Sequence, residues 1–197
     1  VYRHGMIYFT ARDGQNRSHV FRIVFDLKTG PKGKPEMVLS PSALGTFADA
    51  GVMSSWFHED KFYVTGWNRA ADVRFRNSIG VVACDSGSFL ITHGPILDRN
   101  HLNLSLVASP CVISHRNGLR MYHVRCNQWK EIHGRLNPVY SIACADSEDG
   151  MNWKPKTGFC IPLMGEEHAI ARPCVIYSDY GNVQQMWYSY RGEQYRI

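Results

Sequence analysis

Apolar residues along the chain alternate with polar ones or stand in short blocks, and Gly, Pro, Asn and Asp bound these blocks. Alternation with a period of two is typical of half-buried β-strands. No stretch shows the 3.6-residue spacing of apolar positions that an amphipathic helix needs. The pattern therefore predicts an all-β protein. The predicted strands are Met6 to Thr10, Val20 to Phe25, Glu36 to Leu39, Gly51 to Phe57, Lys61 to Trp67, Ser78 to Cys84, a run from Phe89 onward, Cys111 to Ser114, Arg120 to Val124, Val139 to Ala145, Cys174 to Tyr177 and Gln185 to Tyr190.

Other stretches lack the alternation and predict connections. The segment from Lys28 to Pro35 is rich in Gly and Pro, which predicts a surface connection. Polar residues after Trp67, and again between Val124 and Val139, predict two long loops.

One short phrase occurs three times along the chain. Asp-Ala-Gly-Val at 49–52 returns as Ser-Pro-Cys-Val at 109–112 and as Arg-Pro-Cys-Val at 172–175, each time ahead of a strand with aromatic residues. Alignment on Val52, Val112 and Val175 gives spacings of 60 residues (112 − 52) and 63 residues (175 − 112). Periods of this length indicate stacked supersecondary units.

Each complete unit holds four predicted strands, which is the layout of a β-propeller blade, and propellers have about four to eight blades. We expect one domain over 1–197, with a partial blade at 1–40, blades at 49–97 and 109–163, and a partial blade at 172–197. These units are too few to close a ring. We therefore expect an incomplete propeller whose edges are covered by further blades, by a homo-oligomer partner or by a strand swap.

Composition narrows the function classes. The chain has 197 residues, of which 44% are hydrophobic, and no apolar run long enough to span a membrane, so we expect a soluble, cytoplasmic protein. The net charge of +5 suits an anionic partner, but the basic residues are scattered, which argues against nucleic acid. The six cysteines show no CxxC pair and the histidines no ligand spacing, so we expect no metal and no cofactor. We expect Cys84, Cys111, Cys144 and Cys174 to be small buried hydrophobes.

In a propeller the innermost strand of each blade runs along the central channel, so the residues that open these strands gather around its mouth. That mouth is the natural pocket. In the alignment above, Asp49, Ser109 and Arg172 hold equivalent positions, and we expect them to face one another there.

The three phrases, with Ser-Glu-Asp-Gly-Met-Asn-Trp at 147–153 between them, resemble five-bladed β-propeller glycosidases. The resemblance is to the arabinanase, levansucrase and invertase superfamily, glycoside hydrolase families 43 and 32, and covers most of the chain from Met6 onward. Ala-Ile-Ala-Arg-Pro at 169–173 and Met-Trp-Tyr-Ser-Tyr-Arg at 186–191 are most similar to uncharacterised members associated with bacterial surface-polysaccharide synthesis. The 147–153 segment also resembles the Asp-box turn of sialidase-like propellers, which implies a structural role, with a weaker echo at 85–89.

The resemblance implies three carboxylates around the channel: a base or nucleophile, an acid, and a third that orients the substrate. Of the matching positions only Asp49 is acidic, since Ser109 and Arg172 hold the other two. We therefore expect Asp49 to be the base and Glu167 or Glu166, which precede Arg172, to supply the acid. His168 could substitute for that acid.

Convergent guanidinium groups suit carboxylate or phosphate recognition, so Arg172, Arg12 and Arg191 predict an anionic sugar or sugar phosphate as ligand. Trp67 and Trp129 adjoin the predicted long loops and are candidate sugar-stacking platforms. Trp153 and Trp187 are expected in the core.

Three functions remain open from the sequence. The first is a glycoside hydrolase-like enzyme with a degenerate acidic triad. The second is a non-catalytic carbohydrate-binding propeller. The third is an assembly module that pairs through open blade edges.

Overall fold

The chain folds entirely into β-strands and connections, as the computed structural model shows for residues 1–85, 88–177 and 184–197. No helix occurs among these residues, and the all-β prediction is confirmed. None of them therefore forms a helix that could cross a membrane. The strands are β1 (Tyr2–Arg3), β2 (Met6–Arg12), β3 (Ser18–Asp26), β4 (Gly30–Leu39), β5 (Gly51–His58), β6 (Lys61–Asn68), β7 (Arg76–Asp85), β8 (Ser88–Leu97), β9 (Leu106–His115), β10 (Gly118–Ile132), β11 (Arg135–Ser147), β12 (Lys154–Pro155), β13 (Ala169–Tyr177), β14 (Gln184–Arg191) and β15 (Tyr195–Arg196).

The chain divides into two units, Val1–Pro95 and Ile96–Ile197. In the first unit the strand order is β1-β2-β3-β5-β6-β7-β8, with β4 paired to β3. Neighbouring strands from β1 to β4 and from β5 to β7 are antiparallel. A single parallel bridge between Ser18 and Gly51 links β3 to β5 and so joins two blade-like groups of strands.

The second unit repeats this plan. Its order is β15-β14-β13-β11-β10-β9, with β12 paired to β11. Here too one parallel bridge, between Tyr140 and Ala169, links the third strand of one group to the first strand of the next. The expectation of a single domain over 1–197 stays a prediction.

Apolar side chains on alternating strand positions form the core of each unit. In the first unit Phe62 packs parallel to Phe57 with ring centroids 4.0 Å apart, and Tyr8 meets Phe57 edge-on at 4.8 Å. Other core members in this unit are Val20, Leu39, Val52, Val64 and Val82. The second unit buries Met121, Ile142, Val107, Val112, Ile170 and Val175.

The structure corrects two predicted connections. Residues 30–35, predicted as part of a connection, belong with the predicted strand Glu36 to Leu39 to one strand, Gly30–Leu39; its residues are mostly exposed and it pairs with β3. Pro31 and Pro35 are tolerated there because a strand with one partner needs only half of its N–H groups. The predicted loop between Val124 and Val139 is a long hairpin, in which β10 and β11 stay paired as far as Ile132 and Arg135.

The predicted core tryptophans also differ. Trp153 is 8% exposed and confirms the prediction, whereas Trp187 is 49% exposed and does not. Trp187 lies on β14, between β13 and β15.

The turn after β11 has the structural role that the sequence predicts. Ser147 Oγ accepts the N–H of Gly150 at 2.9 Å, and Asp149 Oδ1 accepts the N–H groups of Met151 and Asn152, both at 2.8 Å. Trp153 Nε1 donates to the Gly150 carbonyl at 3.1 Å. Ser86 and Gly87, at the centre of the weaker echo, lie outside the described residues.

At the parallel bridge between Ser18 and Gly51, no side chain larger than that of glycine fits at position 51. A Cβ atom there would lie 2.3 Å from Trp67 Nε1 and 2.6 Å from the Ser18 amide nitrogen. We expect Gly51→Ala to lower the free energy of unfolding by about 1–3 kcal/mol, because the overlap pushes against backbone as well as side chain.

Urea denaturation measures this effect. Gly14→Ala is the matched control, since no atom lies within 4 Å of a Cβ at Gly14. Equal stability of the two variants would contradict the close approach at Gly51.

The Asp149 turn makes stability depend on pH. The N–H of Asn152, its side-chain amide and the N–H of Met151 hold the pKa of Asp149 well below its ordinary value near 3.8. A depressed folded-state pKa stabilises the protein above the unfolded pKa, and this contribution is lost as pH falls below about 4.

Asp149→Ala should therefore lower Tm at pH 7, and the difference from the native chain should shrink as pH falls from about 4 toward 2. Calorimetry across this range checks it, with Asp60→Asn in the exposed β5–β6 turn as control. A Tm difference that stays constant with pH would show that the charge of Asp149 does not contribute to the stability of the fold.

Candidate functional site

Three strands in the two units open with the same backbone hydrogen bond. The residue just before the strand donates its N–H to the carbonyl of the neighbouring strand at 3.0–3.1 Å: Ala50 to Trp67, Ser105 to Cys126 and His168 to Arg191. Two of these residues also accept a bond from the preceding strand group, from Ser18 to Ala50 and from Tyr140 to His168. Ala50, Ser105 and His168 are thus structurally equivalent.

This equivalence corrects the alignment of the repeats. Asp49, Leu104 and Glu167 directly precede the three equivalent residues and so correspond to one another. Ser109 and Arg172 stand five residues after Leu104 and Glu167, in the place that Ser54 holds after Asp49. The alignment on valines is therefore wrong by five residues for the first repeat and correct for the other two.

Asp49 is held by its own loop and by the neighbouring strand. Its Oδ2 accepts the N–H of Gly45 at 2.9 Å, and its Oδ1 accepts a bond from Asn68 Nδ2 at 2.7 Å. The same Asn68 amide group also donates to the Thr46 carbonyl. These contacts point both carboxylate oxygens at defined donors and fix the loop that enters β5.

Arg12 and Trp67 come together beside this loop. The Arg12 guanidinium lies 5.6 Å from the Trp67 ring centroid, and Trp67 Nε1 donates to the buried Ser18 hydroxyl at 3.1 Å. Arg12 also donates to Asn16 Oδ1 at 2.7 Å. Trp67 is only 8% exposed, so its ring is not the open platform that a loop position predicted.

The turn between β2 and β3 places more charge in this region. Asp13 accepts bonds from the N–H and the guanidinium of Arg17 and lies 3.1 Å from His19 Nε2. The Arg17 N–H, with His19 next, holds the pKa of Asp13 well below its usual range. Arg69 donates to the Gln15 carbonyl at 3.2 Å, tying the connection after β6 to this turn.

Glu167 has in its own unit the place that Asp49 has in the first. Its Oε2 accepts the N–H of Met164 at 2.9 Å, and its own N–H donates to the Met164 carbonyl at 3.0 Å. Glu166 is exposed, and Glu167 is half-buried. His168 is buried, and its Nε2 has no hydrogen-bond partner among the described residues.

An aromatic and cationic cluster adjoins His168. The Arg191 guanidinium lies 5.1 Å from the Tyr195 ring centroid. Burial, followed by the neighbouring Tyr195 hydroxyl, raises the pKa of Tyr140 far above its usual value, so Tyr140 is a hydrogen-bond donor at neutral pH. Arg191 and Tyr140 flank His168 on the two strands that bond its backbone.

Ser109 and Arg172 each lie at a β-bulge in an inner strand. Their φ angles are +51° and +53°, a left-handed conformation that non-glycine residues rarely adopt, and each precedes a proline. Such strain persists only where the surroundings enforce it, and it concentrates at functional sites. Arg172 is exposed.

The strands that carry Ser109 and Arg172 lie side by side within the second unit, since the Val175 N–H donates to Cys111 Sγ at 3.3 Å. Ser109 and Arg172 thus hold equivalent positions on two inner strands that contact each other at Cys111 and Val175. Trp129 lies in β10 rather than in a loop, and its Nε1 donates to Ser105 Oγ at 2.8 Å. Ser105 is the residue equivalent to Ala50 at the start of β9. The indole N–H of Trp129 is therefore engaged at the start of an inner strand and not in a loop.

The sequence analysis missed Asn68 and Tyr140. Asn68 is the last residue of β6, next to the Trp67 that bonds Ala50, and Tyr140 lies inside β11, where it bonds His168. Only correct strand pairing could have found them. Among the described residues, no cluster of three or more His, Cys, Asp or Glu side chains could hold a metal ion.

Asn68 should matter because its amide faces the Asp49 carboxylate. We expect Asn68→Asp to lower the free energy of unfolding at pH 7 by about 1–2 kcal/mol more than Asn68→Ala, because two carboxylates then repel each other. The extra loss should vanish below about pH 4, where carboxylates become protonated. Urea denaturation at both pH values tests this, and identical pH profiles for the two variants would contradict the contact.

No protein-family model matches the sequence. The chain is 33% identical over 201 aligned positions to the uncharacterized protein MT1551 of Mycobacterium tuberculosis (strain CDC 1551 / Oshkosh). The alignment covers 97% of this chain and 66% of that protein.

Solved structures show the fold more clearly. A glycoside hydrolase superposes with a TM-score of 0.69 at 12% identity, over 98% of this chain and 61% of that one. A thermostable family-43 glycoside hydrolase gives 0.61 at 14% identity, over 96% and 64%. Sucrose-6-phosphate hydrolase from Lactobacillus gasseri gives 0.66 at 11% identity, over 95% and 38%. The chain therefore shares the all-β, propeller-like fold of these glycoside hydrolases.

Proposed function

We propose that the chain belongs to a glycoside hydrolase-like protein in which Asp49 is the general base and Glu167 the general acid. The observation that carries this proposal is the shared place of the two carboxylates. Each directly precedes the residue that opens an inner strand, in a fold shared with glycoside hydrolases. The third such position, Leu104, has no carboxylate.

The chemistry requires this division of labour. Cleavage of a glycosidic bond needs one group that protonates the leaving oxygen and one carboxylate that activates water or attacks the sugar. Ser109 and Arg172 cannot donate that proton, whereas Glu167 is half-buried beside the buried His168 and can. Glu166 is the exposed alternative acid.

A phosphate-bearing or otherwise anionic sugar fits the charges of the chain. Arg172 is exposed at its bulge, and Arg12 and Arg191 each lie over an aromatic ring that orients the guanidinium. The net charge is +5. One structural neighbour is named as a hydrolase of sucrose 6-phosphate, a phosphorylated sugar. We propose Arg172 as the principal contact of the anionic group, because a guanidinium binds phosphate through paired hydrogen bonds.

A carbohydrate-binding protein without turnover is the second candidate. It is favoured by the hydrogen bonds that Asp49 and Glu167 already make within their own loops. A carboxylate that accepts such bonds stabilises its loop even if it takes no part in catalysis.

Substrates with different leaving groups separate the two carboxylates. With oligosaccharides, which have poor leaving groups, we expect Asp49→Asn and Glu167→Gln each to lower kcat/KM by about 10²–10⁴-fold. With 4-nitrophenyl glycosides, whose leaving group needs little protonation, Glu167→Gln should retain most activity and Asp49→Asn should not. Kinetics on a panel of both substrate types measures this.

Asp60→Asn, an acidic substitution in an exposed turn, is the matched control and should leave kcat/KM unchanged. Binding of a sugar by a native chain that hydrolyses no substrate in the panel would favour the second candidate. Full activity of both site variants would remove Asp49 and Glu167 from the chemistry.

A further inference from the structure

Two cysteine thiols meet on the connection that leads to Glu167. After β12 the chain turns back along β11, where the Lys156 N–H donates to the Cys144 carbonyl at 2.9 Å and the Cys160 N–H donates to the Ile142 carbonyl at 2.7 Å. These bonds bring Cys160 back beside the stretch of β11 that carries Cys144, and the neighbouring thiol is the largest influence on the pKa of each of the two.

The connection is held by few contacts besides these. The Arg125 guanidinium donates to the carbonyls of Lys156 and Gly158 and lies 4.4 Å from the Phe159 ring centroid. Ser141 Oγ donates to the Ile161 carbonyl. The segment then continues without regular strand structure to the loop closed by Glu167 and to the start of β13. Side chains of Arg125 and Ser141 thus supply much of what fixes this connection to the rest of the unit. A covalent bond from Cys160 to β11 would add a further attachment.

The surroundings of the pair favour a reactive thiolate. Cys160 is exposed, so a small reagent can reach the pair. The neighbouring Cys160 thiol lowers the pKa of Cys144, against the opposing effect of burial, and the nearby Arg120 and Lys156 also lower it. Asp146 opposes them, but it is engaged by both cations, at 2.7 Å from Arg120 and 3.0 Å from Lys156. A thiolate is the form of cysteine that attacks disulfides.

A second pair of cysteines in the same unit provides the contrast. Cys111 is wholly buried, and its sulfur accepts the N–H of Val175. Burial raises the pKa of Cys111 to about 12, with Cys174 acting in the same direction. Of these two pairs, only Cys144 and Cys160 combine an exposed thiol with surroundings that favour a thiolate.

We propose that Cys144 and Cys160 form a reversible dithiol–disulfide pair, with a low-molecular-weight disulfide as its oxidant, and that the disulfide anchors the connection carrying Glu167. The Cys144 thiolate attacks one sulfur of the oxidant, whose S–S bond breaks and releases a thiolate that takes up a proton. Cys160 then loses its proton to water and attacks the sulfur of Cys144. This step forms the protein disulfide and releases the second small thiol. Two protein thiols are oxidised and one disulfide is reduced to two thiols.

Equilibration of the native chain with glutathione and its disulfide tests the proposal. We expect the chain to lose two hydrogen atoms by mass spectrometry, with a Cys144–Cys160 cross-link in the peptide map, and dithiothreitol should reverse it. Cys160→Ser should stop the reaction at a mixed disulfide on Cys144, whereas Cys144→Ser should lower glutathionylation of this pair by about tenfold or more. Cys144→Ala serves as a second variant if the serine is poorly folded.

The buried pair is an internal control that needs no substitution. In pulsed alkylation of the folded native chain at pH 7, Cys144 should react about tenfold or more faster than Cys111. Hydrogen exchange should slow on the 156–167 connection after oxidation. Unreacted Cys144 and Cys160 at equilibrium, or a cross-link between Cys111 and Cys174 instead, would overturn the proposal. None of these readouts depends on hydrolysis of a sugar.

Discussion

The backbone junction at the start of an inner strand is the constraint on which each unit depends. At Ala50 and at His168 the backbone N–H bonds the second strand of the same group, and the carbonyl bonds the third strand of the group before. Buried backbone groups must be paired, so the chain cannot shift here without losing bonds on both sides. The position of the side chain one residue earlier, Asp49 or Glu167, follows from this backbone bonding.

Close packing reinforces the junctions. In the first unit Gly51 lets the Trp67 ring and the Ser18 backbone approach each other, and Trp67 then reaches the buried Ser18 hydroxyl. In the second unit Ala169 takes the place of Gly51, and Arg191 with Tyr140 takes the place of the Trp–Ser pair. The same backbone arrangement therefore carries a tryptophan–serine hydrogen bond in one unit and an arginine with a buried tyrosine in the other. The two carboxylates consequently have different neighbours.

Three aspartates serve their own turns. Asp13, Asp26 and Asp149 accept two or more N–H groups within a few residues, and their pKa values are lowered chiefly by backbone hydrogen bonds. Asp49 and Glu167 each accept one such backbone bond, and Asp49 accepts a second bond from the Asn68 side chain. The turn acids therefore hold the hairpins, and the two opening carboxylates are held by fewer backbone bonds near the junctions.

Alternation of apolar and polar residues by itself determined the all-β class and most strands, and the resemblance of 147–153 to an Asp-box turn predicted the Asp149 turn. These features depend on neighbours within a few residues. The sequence also singled out Asp49, Glu167, Arg12 and Arg191 by residue type and by their distance from strand ends. Strand pairing decided the rest. The β10–β11 hairpin, the burial of Trp67, the exposure of Trp187 and the equivalence of Asp49 with Glu167 all depend on which strands bond to which. The repeats were aligned five residues out of register at the first copy because the equivalence of Asp49, Leu104 and Glu167 rests on backbone hydrogen bonds, which composition does not show.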